Sequence, residues 1–313
     1  MLVTGGAGFI GSNLAEALIA QGASVCILDN LVTGFRENLE EIKGDFDFIE
    51  GDLNDPIALK KALEGVEVVF HEAALPSVPR SVANPLETHQ ACVNGTFALL
   101  NAAREMGVRR LIYAASSSAY GDQPILPKVE TMAPKPMSPY AGAKLMGEYY
   151  CRIFAHVYGL ETLCLRYFNV FGPRQNPSSQ YSGVISRFIH ALMTGETPVI
   201  YGDGEHSRDF TYIANVIDAN IKAAQTTQGI GEVLNVANGD RVTLNQLLET
   251  VKKITGNTQV TADYQPPRKG DVKDSQADNR RAIEWLGYEK LVDLEEGLIK
   301  TIDWWKNSRF AQV

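Results

Sequence analysis

The feature that most restricts how this chain can fold lies in its first eleven residues. A short apolar and β-branched run, Leu2-Val3-Thr4, leads directly into Gly5-Gly6-Ala7-Gly8-Phe9-Ile10-Gly11. Gly5, Gly8 and Gly11 form GxxGxxG, and Ile10, Leu14, Ala17 and Leu18 then recur at helical spacing before Gly22, which serves as a helix stop. A strand that turns through glycines into a helix lets the backbone touch a pyrophosphate, which the helix N-terminus attracts through its free N–H groups and dipole. In a chain with 27 glycines the spacing alone is weak; the strand before it and the helix behind it give it weight.

The first half continues the same alternation of short β-branched runs and helical patterns. Strands are expected at 2–4, 24–28, 46–50, 66–71, 110–115 and 162–166. Helices are expected from about 85 to 106 and from Ser138-Pro139, where Ser caps and Pro occupies the first turn. This predicts an α/β fold, a doubly wound Rossmann-type parallel sheet. Past residue 166 the alternation breaks down into a Gly/Pro/Ser-rich stretch at 172–182, a helix, and short strands near 199–201, 208–213 and 232–237. Thr243 and Gln246 then form a capping box ahead of an amphipathic helix. Residues 1–168 are expected to form the cofactor domain and 169–313 a smaller mixed α/β substrate domain, with some segments woven back into the first.

Charge and composition narrow the partners. With 29 Lys+Arg against 37 Asp+Glu, the net charge is -8, and no basic stripe offers itself to a nucleic-acid backbone. No apolar run approaches the roughly 18 residues of a membrane span, and the first residues lack the basic and apolar regions of a secretory signal. A cytoplasmic protein is expected. Cys26, Cys92, Cys151 and Cys164 form no CxxC pair and sit in apolar segments, as buried core residues do, so neither disulfides nor a metal are expected.

Asp29 ends the second expected strand, 18 residues after Gly11. There a carboxylate can accept from the adenosine ribose hydroxyls and would repel a 2′-phosphate, so NAD is favoured over NADP. Gly51-Asp52-Leu53 and His71-Glu72-Ala73-Ala74 follow the next two strands, where a dinucleotide should lie. Tyr140 and Lys144 share a helix face one turn apart, and Ser116-Ser117-Ser118 follows the fifth strand into the same crevice. A phenol has a reference pKa of about 10, but positive charge from Lys144 and a nicotinamide would favour its phenolate.

GxxGxxG, Ser116 and YxxxK together resemble the extended short-chain dehydrogenase/reductase superfamily, in its NAD-dependent sugar epimerase/dehydratase group. The resemblance runs on through Leu165-Arg166-Tyr167-Phe168-Asn169-Val170-Phe171-Gly172-Pro173-Arg174, Ser207-Arg208-Asp209-Phe210 and Arg268-Lys-Gly-Asp271, nearly the whole chain. Within the group the sequence is most similar to UDP-hexose 4-epimerases, especially those acting on N-acetylated UDP-sugars; Ala114 to Asp122 and Leu126-Pro-Lys-Val-Glu130 carry that likeness. The resemblance implies Ser116, Tyr140 and Lys144 as the catalytic set. It implies NAD contacts from Gly5, Gly8, Phe9, Ile10 and Gly11; from Asp29, Asn30, Thr33 and Gly34; from Asp52, Leu53, Ala73, Ala74 and Asn94; and from Tyr140, Lys144 and Tyr167. For the UDP-sugar it implies Ser77, Ser116, Ser117, Tyr140, Asn169, Val184 and Tyr201. Arg208 and Arg268 would hold the diphosphate, Asp271 the uridine ribose, and Ser275 a pocket wall that is bulky in enzymes restricted to UDP-glucose and UDP-galactose. Relatives of this kind pair two long helices into a homodimer, here the helices bearing Ala91, Cys92, Phe97, Leu100 and Leu145, Tyr149, Ile153. Two departures stand out: only three residues precede Thr4, and Pro76 replaces a lysine frequent in galactose-type members.

The resemblance also allows dehydratases, decarboxylases and uronate epimerases. Dehydratases and UDP-glucuronate decarboxylases carry an acidic residue in the turn after the fifth strand, which here reads Ser117-Ser118-Ala119. With no acid to protonate a leaving hydroxyl, the hydride returns to C4 and the outcome is epimerisation. No residue clearly accepts or rejects a C6 carboxylate. A non-catalytic NAD-sensing protein on the same fold would be expected to lose Tyr140 and Lys144, which are present.

Overall fold

Leu2–Thr4 holds as a strand despite its length because all three residues are buried at the centre of a sheet. The structure, a computed structural model, describes residues 1–176, 183–267 and 272–311. Strand β1 (Leu2–Thr4) pairs with β2 (Cys26–Asp29) on one side and β4 (Val68–His71) on the other. Outside these lie β3 (Asp47–Glu50), β5 (Arg110–Ser116), β6 (Glu161–Tyr167) and, at the edge beyond β6, the strand Val233–Val236. Every pairing in this seven-stranded sheet is parallel. The chain winds outward from β1 through β2 to β3, returns to β4, and winds outward again through β5 and β6. Between β1 and β4 the order reverses, and a ligand crevice opens at the strand C-termini there.

Side-chain alternation covers both faces. Val3, Ile27, Phe70, Ile112 and Leu165 enter one core, while Leu2, Leu28, Val69, Leu111 and Cys164 enter the other. Each such side chain contributes roughly 1.5–3 kcal/mol by leaving water. Cys92, Cys151 and Cys164 are buried free thiols, and Cys26 is half-buried.

The sheet does not end at residue 168. Helix Ile213–Gln225 packs against β5 and β6, and Val233–Val236 pairs with β6, so part of the second half belongs to the first layer. Helices Val184–Thr194, Leu244–Thr255 and Leu294–Asn307 build the rest, joined by two-stranded ribbons. Thr243 opens Leu244–Thr255 with a reciprocal capping box. The single strand expected at 208–213 is broken. Ser207–Arg208 runs antiparallel to Val242–Thr243, Thr211–Tyr212 runs parallel to Val170–Phe171, and Ile213 begins a helix. Between the two short strands the Asp209 carboxylate accepts backbone N–H bonds from Asn238, Gly239 and Ala277, so the chain answers to other segments rather than to a strand neighbour. The helix expected over 85–106 likewise has three parts, Pro85–His89, a π-helical turn Gln90–Asn94, and Gly95–Glu105. Of its expected outer stripe, Cys92 and Leu100 are core, as is Leu145 on the neighbouring helix, whereas Phe97, Tyr149 and Ile153 are exposed. Among the described residues no helix is long and apolar enough to cross a membrane.

Candidate active site

The glycine turn works because side chains cannot fit in it. A Cβ on Gly11 would stand 2.3 Å from the Gly5 carbonyl oxygen, and Gly5 itself has φ +70 and lies against the Ala73 backbone. Helix Phe9–Ala20 therefore starts at Gly8 with no side-chain cap and no acidic residue in its first turn. Gly8, Phe9, Ile10 and Gly11 at its start line the larger cavity, the placement that a pyrophosphate site at a helix N-terminus requires.

At the end of β2, buried Asp29 accepts from the Ala7 N–H at 2.9 Å through one oxygen and from the Leu31 N–H at 2.8 Å through the other. Burial raises its pKa and those two bonds lower it. Each oxygen keeps a lone pair for a ribose hydroxyl. Asp29, Asn30, Thr33, Asp52 and Leu53 line one recess together with Gly5, Ala73 and Ala74. Gly34 lies behind it, where a Cβ would come within 2.9 Å of Asp29 Oδ1.

From this recess a cavity of about 660 Å³ runs along Gly8, Phe9, Ile10 and Gly11 to Ser116, Tyr140, Lys144 and Tyr167, a size that suits an organic cofactor. Ser138 caps helix Pro139–Tyr158 through the Ala141 N–H, with Pro139 in the first turn, and so sets Tyr140 at the mouth of β5. One turn on, Lys144 is buried; its Nζ donates to the Ala114 carbonyl at 2.7 Å and lies 5.0 Å from the Tyr113 ring centre. Ser116 Oγ pairs with Ser118 Oγ at 2.8 Å and accepts from the Ser118 N–H, capping the turn Ser117–Tyr120. Burial raises the Tyr140 phenol above its usual pKa, and the Ser116 side chain pulls it down. Burial also lowers the Lys144 pKa. The expected phenolate-stabilising effect of Lys144 does not prevail over burial in the protein alone.

A second cavity of about 270 Å³ adjoins this centre, lined by Ser116, Ser117, Tyr140, Asn169, Arg208 and Ser275. Asn169, in the left-handed region at φ 34, donates from Nδ2 to the Asp209 carbonyl at 2.8 Å and to Ser275 Oγ at 3.4 Å. Arg208 Nη1 donates to the Ser207 and Lys273 carbonyls. The Ser275 N–H donates to the Ser207 carbonyl. These segments meet on buried Asp209, whose pKa burial pushes up to about 7 against its three backbone N–H donors.

Ser77 lines the larger cavity and caps the helix Val78–Ala83. Asn94, Val184 and Tyr201 line none of these three cavities: Asn94 is exposed on the π-helical turn, Val184 begins a helix, and Tyr201 stacks near Arg187. Arg268 and Asp271 lie outside the described residues. Three charged residues that line these two cavities stand outside the expected site set: Glu72, Arg80 and Lys128. Glu72 and Lys128 stand inside quoted motifs, beside Ala73 and within Leu126-Pro-Lys-Val-Glu130, so their signal was position beside known contacts.

The sequence model of the NAD dependent epimerase/dehydratase family matches residues 1–237. The chain is 38% identical over 312 residues to a putative UDP-glucose 4-epimerase of Methanocaldococcus jannaschii, covering 98% of this chain and 99% of that one. Among solved structures, the UDP-glucose 4-epimerase of Thermotoga maritima with UDP-glucose superposes with a TM-score of 0.93 at 40% identity, covering 98% of each chain. The UDP-N-acetylglucosamine 4-epimerase of Methanobrevibacter ruminantium, in complex with UDP-N-acetylmuramic acid, also gives 0.93 at 40% identity, covering 98% of this chain and 97% of that one.

Proposed function

Because the chain belongs to the NAD dependent epimerase/dehydratase family, we propose that it interconverts UDP-hexoses at C4, N-acetylated ones included. The observation that carries this reading is the junction of two cavities at Tyr140 and Ser116. One cavity has the glycine turn and uncapped helix that fit NAD; the other has the Arg208, Asn169 and Ser275 walls that suit a sugar diphosphate. Bound NAD supplies reversible acceptance of the C4 hydride.

Tyr140 takes the proton of the C4 hydroxyl, with Ser116 in hydrogen-bond reach of the same oxygen. Lys144, held by the Ala114 carbonyl one helical turn from Tyr140, would hold the nicotinamide ribose and, when charged, favour the phenolate. Loss of proton and hydride leaves a 4-keto sugar. Arg208 holds the diphosphate by charge-assisted bonds while the sugar turns its other face; Tyr140 then returns the proton. Ser117, Ser118 and Ala119 provide no acid for a leaving hydroxyl, which supports epimerisation over dehydration or decarboxylation. Purified protein given UDP-glucose or UDP-N-acetylglucosamine, with no added cofactor, should form the matching galacto sugar. Turnover of neither, or a dehydrated or decarboxylated product, would overturn the reading.

The protein is further read as a cytoplasmic homodimer. Phe97, Met146, Tyr149, Ile153 and Val157 stand exposed on neighbouring helices, an apolar face suited to a two-fold helical interface, and unpaired thiols suit a reducing compartment. Sedimentation at micromolar concentration should give a dimer, and Ile153→Asp a monomer. A monomeric wild type would remove the idea.

A further inference from the structure

The strongest unassigned group in the cavity is Glu72. It follows β4, lines the larger cavity with Ser116, Tyr140, Lys144 and Tyr167, and does not line the recess around Asp29. It therefore faces the redox end of the cofactor groove rather than the adenosine end. Its carboxyl is held from behind by a relay: Tyr167 Oη donates to Glu72 Oε1 at 2.8 Å, and Asn220 Nδ2 donates to Tyr167 Oη at 2.8 Å. Asn220 is buried, so the relay is anchored in the protein interior. Lys144, the nearby cation, has its Nζ committed to the Ala114 carbonyl.

Glu72 Oε2 has no hydrogen-bond partner among the described residues. A half-buried carboxylate with one oxygen oriented and the other open to the cavity can accept a hydrogen bond from a donor that enters it. Burial raises the Glu72 pKa to about 7, and an N–H donor arriving at Oε2 would draw it back down in favour of the ionised acceptor. A nicotinamide ring offers N–H donors only at its carboxamide NH₂.

The geometry points to Glu72 as a positioning residue that accepts the carboxamide N–H of the nicotinamide through Oε2, with the Tyr167–Asn220 relay fixing its direction. The contact would set the rotation of the ring about its ribose bond, and hence which ring face meets the sugar. It rests on the cofactor reading above.

The test is a binding ratio rather than a rate. Nucleotide-free protein is titrated with NAD and with 3-acetylpyridine adenine dinucleotide, in which a methyl group replaces the amide NH₂. Wild type should bind NAD about 10- to 100-fold more tightly, the value of one hydrogen bond to a charged group. Glu72→Met, of similar length and no acceptor strength, should bind the two nearly alike. Glu72→Gln, which keeps an uncharged acceptor, should restore part of the preference. Each variant is its own reference, so a general loss of folding or affinity shifts both titrations together and leaves the ratio intact. NAD binding with a ratio near one in wild type, or an unchanged preference in Glu72→Met, overturns the assignment alone. Binding of neither nucleotide by wild type overturns the cofactor reading with it.

Discussion

Lys144 Nζ donates to the carbonyl oxygen of Ala114 at 2.7 Å, two residues before Ser116 on β5. This one buried bond ties the helix that carries Tyr140 to the strand that carries Ser116. Gly147 reinforces the union: a Cβ there would stand 2.2 Å from Tyr113 Oη, so helix and strand approach as closely as the sequence allows. Tyr140, Lys144 and Ser116 thus form one rigid unit, the condition for proton transfer without reorganisation.

Removing the phenol hydroxyl should disable that unit without disturbing it. Tyr140→Phe is expected to lose at least the ~100-fold in kcat typical of a general base, with an unchanged melting temperature. Because burial raises the Tyr140 pKa, the phenolate fraction grows as pH rises, so wild-type kcat should climb across the neutral range and residual Phe activity should not. Nearly full kcat in the variant would refute the assignment.

What could be read from the sequence was what a few neighbouring residues decide together. Gly5 and Gly11 are six apart and Tyr140 and Lys144 one helical turn apart, so their spacing announced them. Glu72 and Tyr167 are separated by 95 residues and Asp209 and Ala277 by 68. Nothing local signals either pair; only the parallel sheet and the returning strands bring them together. The broken strand at 208–213 has the same origin, since its alternating pattern was overridden by the Asp209 carboxylate and its distant backbone donors. The return of Val233–Val236 to the sheet edge also depends on pairing with β6, which no short window of sequence contains.

Asp29 makes a separable claim about cofactor choice. Asp29→Asn keeps the size of the side chain but removes the charge that would repel a 2′-phosphate. NAD affinity should fall, by the ~1.5–3 kcal/mol of a charged hydrogen bond at most, while NADP affinity should hold or rise. Titration with both nucleotides checks this, and equal losses on both would assign Asp29 to the Ala7 and Leu31 backbone alone.

Asp209 should act on substrate binding without touching substrate. Its two oxygens serve three backbone N–H donors, and the amide of Asp209→Asn must turn its NH₂ toward at least one of them. One buried donor left unpaired costs about 1–3 kcal/mol, so the melting temperature should drop. The segments carrying Arg208 and Ser275 should loosen with it, raising KM for the UDP-sugar more than kcat falls. A lower melting temperature with KM unmoved would confine Asp209 to stability.

Substrate breadth turns on Ser275. Its N–H is fixed by the Ser207 carbonyl and its hydroxyl meets Asn169 Nδ2, so the side chain has a set direction beside a cavity of about 270 Å³. Ser117 lines the same cavity. A small residue here leaves room for an N-acetyl group at C2 of the sugar. Ser275→Tyr would carry a ring from the same anchored backbone into the space that the acetyl group needs. The variant should therefore lose turnover of UDP-N-acetylglucosamine and UDP-N-acetylgalactosamine by steric exclusion while sparing UDP-glucose and UDP-galactose. Assaying wild type and variant on all four sugars reads this directly, and equal loss on both pairs would sink the gate.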